Sequence, residues 1–164
     1  MSPSYLPVTL RAMADVLGLD HHATIVFDSR IEAGFEVDAD PDQLFRVLLN
    51  LCRNAVQAMD GEADPAVVRR LFVEGRREGG VVVIRICDTG PGVSAKARQH
   101  LFQAFQGGVR PGGAGLGLAI AAEIVRAHGG TIALVDQSAP GAAFEITLPD
   151  RPIDFDLAAR ARVG

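Results

Sequence analysis

Ile86-Cys87-Asp88-Thr89-Gly90-Pro91-Gly92 closes a largely apolar run that begins at Val81. A run of this length and composition reads as a buried strand. It ends in a carboxylate, and two glycines follow at alternate positions. Burying a charge without a partner is costly, so Asp88 needs a donor. Glycine permits positive φ, or a closer approach than a side chain allows. Two readings fit. In one, Asp88 forms a pocket floor and accepts a hydrogen bond from a ligand N–H. In the other, the stretch is a hairpin turn with a surface Asp. The DxGxG pattern is short and common, so on its own it leaves both open.

Composition narrows the class. The chain has 164 residues, 48% apolar and 22% charged, which suits one globular domain with a real core. The net charge is −4 and no basic cluster stands out, which argues against a nucleic-acid partner. No apolar run is long enough to span a bilayer, and no signal peptide precedes the first helix. Cys52 and Cys87 both lie in apolar segments and read as small core residues of a reducing compartment.

Residues 1–7 read as a lead-in. Apolar positions over residues 8–19 predict an amphipathic helix, with Pro7 just before it. His21 and His22 lack nearby ligands at metal spacing and read as a solvated link. Strands are expected over residues 23–28 and 34–37. Asp40-Pro41 then marks a helix start, Asp as N-cap and Pro at the first position. That helix runs to about Met59 on a stripe of Leu44, Val47, Leu48, Leu51, Cys52, Ala55, Val56 and Met59. Beside the stripe, Asn50 and Asn54 are four apart and share a face, with Gln57 continuing the line. Asn is a poor helix-interior residue. Its amide oxygen suits a hard cation such as Mg²⁺, and its amide hydrogens suit phosphate. Two Asn residues on a wet helix edge would look the same.

A helical turn or loop is expected over 64–68. A strand over 69–77 and a turn at Gly79-Gly80 make a hairpin that delivers the Asp88 stretch. A short helix over 94–105 follows. Six of the twelve residues from 106 to 117 are Gly, a composition suited to a mobile lid. The loop runs into an apolar helix over 116–128. Glycines that open a helix expose N–H groups at its positive dipole end, where anions bind. The phosphate-loop and dinucleotide glycine signatures are both absent. Strands over 131–136 and 143–148 close the fold, and residues 150–164 form a tail.

An Asn pair on a helix, DxGxG after a strand and GxGLGL opening a later helix occur in a set order. Together they resemble the ATP-binding domain of the GHKL superfamily. Asn50-Leu51-Cys52-Arg53-Asn54-Ala55 resembles its N box, and Asp88-Thr89-Gly90-Pro91-Gly92 its first glycine box. Leu101-Phe102-Gln103-Ala104-Phe105 resembles the F box, and Gly113-Ala114-Gly115-Leu116-Gly117-Leu118 the second glycine box. His128-Gly129-Gly130 and the closing Phe144 to Pro149 are similar to the histidine-kinase branch. The resemblance covers residues 8–149.

The resemblance implies a two-layer α/β sandwich, a mixed and mostly antiparallel sheet backed by about three helices (the Bergerat ATP-binding fold). It implies ATP and Mg²⁺ as cofactors. Asp88 would accept from the adenine amino group, with Gly90, Gly92 and Val93 close to the base. Asn54 would hold the metal. Asn50 would occupy the catalytic position, and Asn50 and Gln57 would lie near the phosphates. The backbone of Gly113, Gly115, Leu116, Gly117 and Leu118 would cradle the phosphate chain. Gln57 stands where a basic residue is frequent, so Arg110 in the lid is the expected phosphate partner. Hydrolytic relatives and anti-sigma serine kinases carry a Glu four residues before the metal Asn. Asn50 occupies that position here and cannot take a proton, which favours sensor histidine kinases. Ala114 and Ala142 replace hydroxyl residues of the pattern, so a degenerate docking module is one alternative, and an anti-sigma serine kinase, disfavoured by Asn50, is the other. No His in the chain sits in a phosphoacceptor context. The expected partners are therefore a His-containing dimerisation domain and, indirectly, a response regulator. The chain reads as the catalytic piece of a longer kinase, a cytoplasmic domain and by itself a monomer.

Overall fold

The run at residues 81–88 becomes the middle strand of a five-stranded sheet, and the other elements are placed around it. The computed structural model describes residues 4–22, 24–60, 69–90, 116–135 and 141–150. Among these the order is β1 (Ser4–Tyr5), α1 (Leu6–Leu17), a 3₁₀ turn (Leu19–His21), β2 (Ile25–Arg30), β3 (Glu36–Val37) and α2 (Pro41–Asp60). Then come β4 (Arg69–Glu78), β5 (Val81–Asp88), α3 (Leu116–Ala127), β6 (Thr131–Val135) and β7 (Ala142–Pro149). The turn expected over 64–68, the helix over 94–105 and the lid over 106–112 lie outside the described residues.

The sheet runs β2-β4-β5-β7-β6. Only the β2–β4 pair is parallel; the other three pairs are antiparallel. Its two faces differ in chemistry. On one, Leu71, Val73, Val82, Ile84, Ile86, Ile146 and Leu148 join a single buried cluster with Leu10 and Met13 of α1, Leu48, Leu51 and Met59 of α2, and Ala121 and Val125 of α3. On the other, Arg85 stands directly between Glu74 and Glu145, its guanidinium 2.8 Å from the Glu145 carboxylate. Alternation of apolar and charged positions thus turns one face to the helices and leaves the other to water. The result is a two-layer α/β sandwich.

Local signals account for the helices. The Asp40 carboxylate accepts the Gln43 N–H at 3.0 Å, the N-cap expected from its position before Pro41. The buried residues of α2 are Leu44, Val47, Leu48, Leu51, Cys52, Ala55 and Met59. At its far end Arg69 Nε donates to the Met59 carbonyl at 3.0 Å. Among the described residues, no helix is long and apolar enough to cross a membrane.

Three expectations shift. Residues 4–6 are more than a lead-in: Ser4 and Tyr5 pair antiparallel with Val37 and Glu36, and Leu6 opens α1 fully buried. Its helix ends at Leu17, where Gly18 adopts φ 66° and donates to the Ala14 and Asp15 carbonyls. His22 is more than a solvated link. Its Nδ1 accepts from the N–H groups of Thr24 and Ile25 at 3.1 and 3.0 Å, while Nε2 lies 3.5 Å from the Asp60 carboxylate. The β1–β3 pairing and the His22–Asp60 contact join segments remote in sequence, which local patterning does not register.

Gly130, between α3 and β6, is closely packed. A β-carbon there would fall onto the Thr147 carbonyl oxygen and within 2.8 Å of Leu148 Cδ2. Gly80 has open space in the same direction. Gly130→Ala is therefore expected to destabilise the fold by about 1–3 kcal/mol, whereas Gly80→Ala stays within about 0.5 kcal/mol of the parent. Denaturant midpoints of the two variants check this; equal midpoints would contradict the packing.

Candidate functional site

Asp88 is the last residue of β5, flanked by Leu71 of β4 and Ala142 of β7. It is only 6% exposed, so the surface-turn reading falls. Burial raises its carboxyl above the ordinary carboxylate range, while hydrogen bonds from the Gly90 and Ala142 N–H groups pull it back down. The Gly90 N–H lies 2.9 Å from Asp88 Oδ1. Pairing with β4 continues one residue further: Thr89 Oγ1 accepts the Arg70 N–H at 2.8 Å, and the Thr89 N–H donates to the Arg70 carbonyl at 3.2 Å.

Glycines close in around this carboxylate. A β-carbon at Gly90 would stand 3.0 Å from Asp88 Oδ1 and 3.3 Å from Met59 Cγ. Gly141 has φ 115°, and a β-carbon there would fall onto the Asp88 carbonyl. The ends of α2 and β5 and the start of β7 thus meet at one point. Met59 and Gly141 were not among the expected site residues. Met59 stands in the sequence only as part of the apolar stripe.

Asn50 and Asn54 lie half-buried along α2, and Gln57 is exposed. Gly117, in the first turn of α3, faces Asn50: a β-carbon on it would lie 3.7 Å from Asn50 Cγ. Leu118, beside it, is buried. Asn50 and the opening turn of α3 are therefore brought together. At the opposite end of the helix pair, His128 Nε2 accepts the Asp40 N–H at 3.3 Å, and His128 Nδ1 lies 2.8 Å from the Ile124 carbonyl. That arrangement requires the proton on Nδ1. His128 ties the end of α3 to the start of α2, so the helices run antiparallel. Leu116 opens α3. Gly92, Val93, Arg110, Gly113 and Gly115 lie outside the described residues. Among the described residues, no group of three or more His, Cys, Asp or Glu is placed to hold a metal.

Cys52 is fully buried on α2, and desolvation pushes its thiol up to about 12. It is a packing residue, as expected. Cys87 is half-buried, with its thiol also raised by desolvation.

Comparison with known proteins agrees with this geometry. The family model described as histidine kinase-, DNA gyrase B-, and HSP90-like ATPase matches residues 39–152. Sensor histidine kinase ZraS of Escherichia coli K12 is 37% identical over 114 residues, covering 70% of this chain. The chain spans about a quarter of that relative's length, 23%. The structure of a mycobacterial sensor histidine kinase, MprB, superposes with a TM-score of 0.70 at 28% identity, covering 90% of this chain and 96% of the other. Full-length ShkA in complex with AMPPNP superposes with a TM-score of 0.69 at 28% identity, covering 90% of this chain and 30% of the other. The buried Asp88 beside Gly90, Asn50 against the opening of α3 and a family match over more than half of the residues converge: this chain belongs to the histidine kinase-, DNA gyrase B- and HSP90-like ATPases.

Proposed function

We propose that this chain is the catalytic ATP-binding domain of a two-component sensor histidine kinase. It holds Mg-ATP and donates the γ-phosphate to a His on a separate dimerisation domain, from which a response regulator is served in turn. The observation that carries this reading is the buried Asp88 carboxylate, set at the end of a strand in a bed of glycine and backbone N–H groups. Such a carboxylate is raised by desolvation and gains a further donor when the adenine amino group arrives. ShkA, whose solved structure carries AMPPNP, supports the nucleotide assignment.

On this reading the groove between α2 and α3 takes the phosphates. Asn54 supplies an amide oxygen to Mg²⁺, a hard-donor chemistry that fits a metal bound by one protein ligand, phosphates and water. Asn50 sits against Gly117 and orients the phosphate chain with Gln57. The N–H groups of Gly113, Gly115, Leu116, Gly117 and Leu118 face the anion at the positive end of α3. Gly92 and Val93 border the base, and Arg110 reaches the phosphates from the lid. Residues 8–149 form the ATP-binding unit, residues 150–164 its tail, and the domain works in the cytoplasm.

The chemistry follows from Asn50. An amide takes no proton at neutral pH, so nothing at that position activates water. An imidazole nucleophile needs no such base, only placement near the γ-phosphate. Labelled ATP tests the assignment. The isolated chain is expected to show no self-labelling and hydrolysis far below roughly 1 per second, and a His-bearing dimerisation domain added in trans is expected to become labelled. Strong self-labelling of the chain alone would refute the reading.

Asp88→Asn separates stability from binding. The folded carboxyl is raised above its unfolded value near 3.9. Its contribution to stability is therefore full below the unfolded value and is lost as pH rises through the folded one. The amide removes that loss, so the melting temperature of the variant should gain on the parent as pH rises from about 4 to 7. ATP binding should weaken by about 1–3 kcal/mol because the amino group then meets a mismatched partner. Calorimetry and thermal melts read both effects, and unchanged ATP affinity rejects the adenine role.

For the metal, Asn54→Ala is expected to abolish the Mg²⁺ enhancement of ATP binding. Titrations with and without Mg²⁺ decide it: a wild-type enhancement in the variant places the metal elsewhere.

A further inference from the structure

Leu71 of β4 faces Asp88 of β5, so Arg70 and Thr89 stand opposite each other one step further along the ladder. Two such residues in an antiparallel pair exchange two N–H···O=C bonds. One of the two is regular: the Thr89 N–H donates to the Arg70 carbonyl at 3.2 Å. In the other, the acceptor is a side chain. The Arg70 N–H donates to Thr89 Oγ1 at 2.8 Å. A hydroxyl thus takes the place in the ladder that a carbonyl ordinarily holds. β5 ends at Asp88, and beyond Thr89 the chain turns back, so that the Gly90 N–H reaches Asp88 Oδ1 at 2.9 Å.

The start of β4, which receives this bond, is itself fastened. Arg70 Nη2 lies 2.7 Å from the Asp28 carboxylate of β2, and its guanidinium is 5.7 Å from the Phe72 ring centroid. The neighbouring Arg69 donates from Nε to the Met59 carbonyl near the end of α2 at 3.0 Å. Met59 in turn lies beside Gly90, where a β-carbon would come within 3.3 Å of its Cγ. Two consecutive residues of β4 therefore hold the two segments that meet at Asp88. Arg69 holds the end of α2, and Arg70 holds the end of β5. The Thr89 hydroxyl is the side-chain contact that joins the turn Asp88-Thr89-Gly90 to this anchor.

We propose that Thr89 is a positioning residue: its hydroxyl fixes where the chain leaves β5 and so aims the Gly90 N–H at the Asp88 carboxylate. The hydroxyl acts through Gly90 and Asp88 and not on a ligand directly. Its value for nucleotide binding rests on the adenine role proposed for Asp88, whereas its hold on Gly90 exists with or without nucleotide. Thr89→Val keeps the branched shape and the preference for extended backbone but offers no acceptor. Thr89→Ser keeps the acceptor and loses the methyl group. Without the hydroxyl the turn loosens, the Gly90 N–H withdraws, and the Asp88 carboxyl loses a donor that pulls it down.

The test titrates Asp88 by carboxyl NMR and follows the Gly90 amide through the same pH range, in the parent chain and in both variants, without nucleotide. Mg-ATP affinity is then measured by calorimetry. Thr89→Val is expected to titrate higher at Asp88, to weaken the pH response of the Gly90 amide and to bind ATP about three- to tenfold more weakly. Thr89→Ser is expected to match the parent in all three. Thermal melts are run alongside. A melting temperature that falls in Thr89→Val while the Asp88 titration stays in place marks a merely structural ladder bond and overturns the proposal. A Thr89→Ser variant that behaves like Thr89→Val overturns it too, since the methyl group would then matter and not the hydroxyl. A parent chain that binds no ATP while the Asp88 titration shifts as stated keeps the positioning role and removes the adenine role.

Discussion

A carboxylate buried at the end of the central strand sets the terms for the surrounding structure. Asp88 loses hydration on folding, and that loss outweighs the two backbone donors that face it. Those donors are available only because the chain is stripped of side chains nearby. Gly90 must approach within contact of the carboxylate and of Met59, and Gly141 must pass against the Asp88 carbonyl. β7 must lie beside β5 in the register that pairs Asp88 with Ala142. The central hairpin, the closing strand and the end of α2 are thus all positioned by one group. Burial holds that group above its ordinary range.

The second organising contact is between helices. α2 presents Asn50 to the opening turn of α3, and His128 fastens the other end of the pair through the Asp40 N–H. A donor and an acceptor on opposite edges of one imidazole bridge the two helices. The two helices are therefore tied at one end by His128 and meet at the other where Gly117 faces Asn50.

Much of this was legible residue by residue. The helix start at Asp40-Pro41, the hairpin at Gly79-Gly80 and the strand ending at Asp88 are local features, each written in the residues that form it. The Asn pair was visible as a face because helical spacing places residues four apart together. What escaped were contacts between distant segments. The Ser4–Tyr5 strand is two residues long and carries no pattern; it exists because Glu36–Val37 is there to pair with it. His22 looked idle because one partner, Asp60, is remote in sequence, although the two N–H groups it accepts, those of Thr24 and Ile25, are near neighbours.

Sequence alone determined the family and the layers, because periodicity, turn chemistry and motif order are properties of neighbouring residues. It left undecided whether Asp88 was a pocket floor or a surface turn. Tertiary structure excluded the surface turn, through the flanking β4 and β7 strands that leave Asp88 only 6% exposed. It also decided that Gly117 faces Asn50, that Gly141 lies on the Asp88 backbone and that α1 keeps an apolar outer face. The physical reason is common to all of these. Burial and close approach depend on which remote segments pack together, and that is settled by the assembled core.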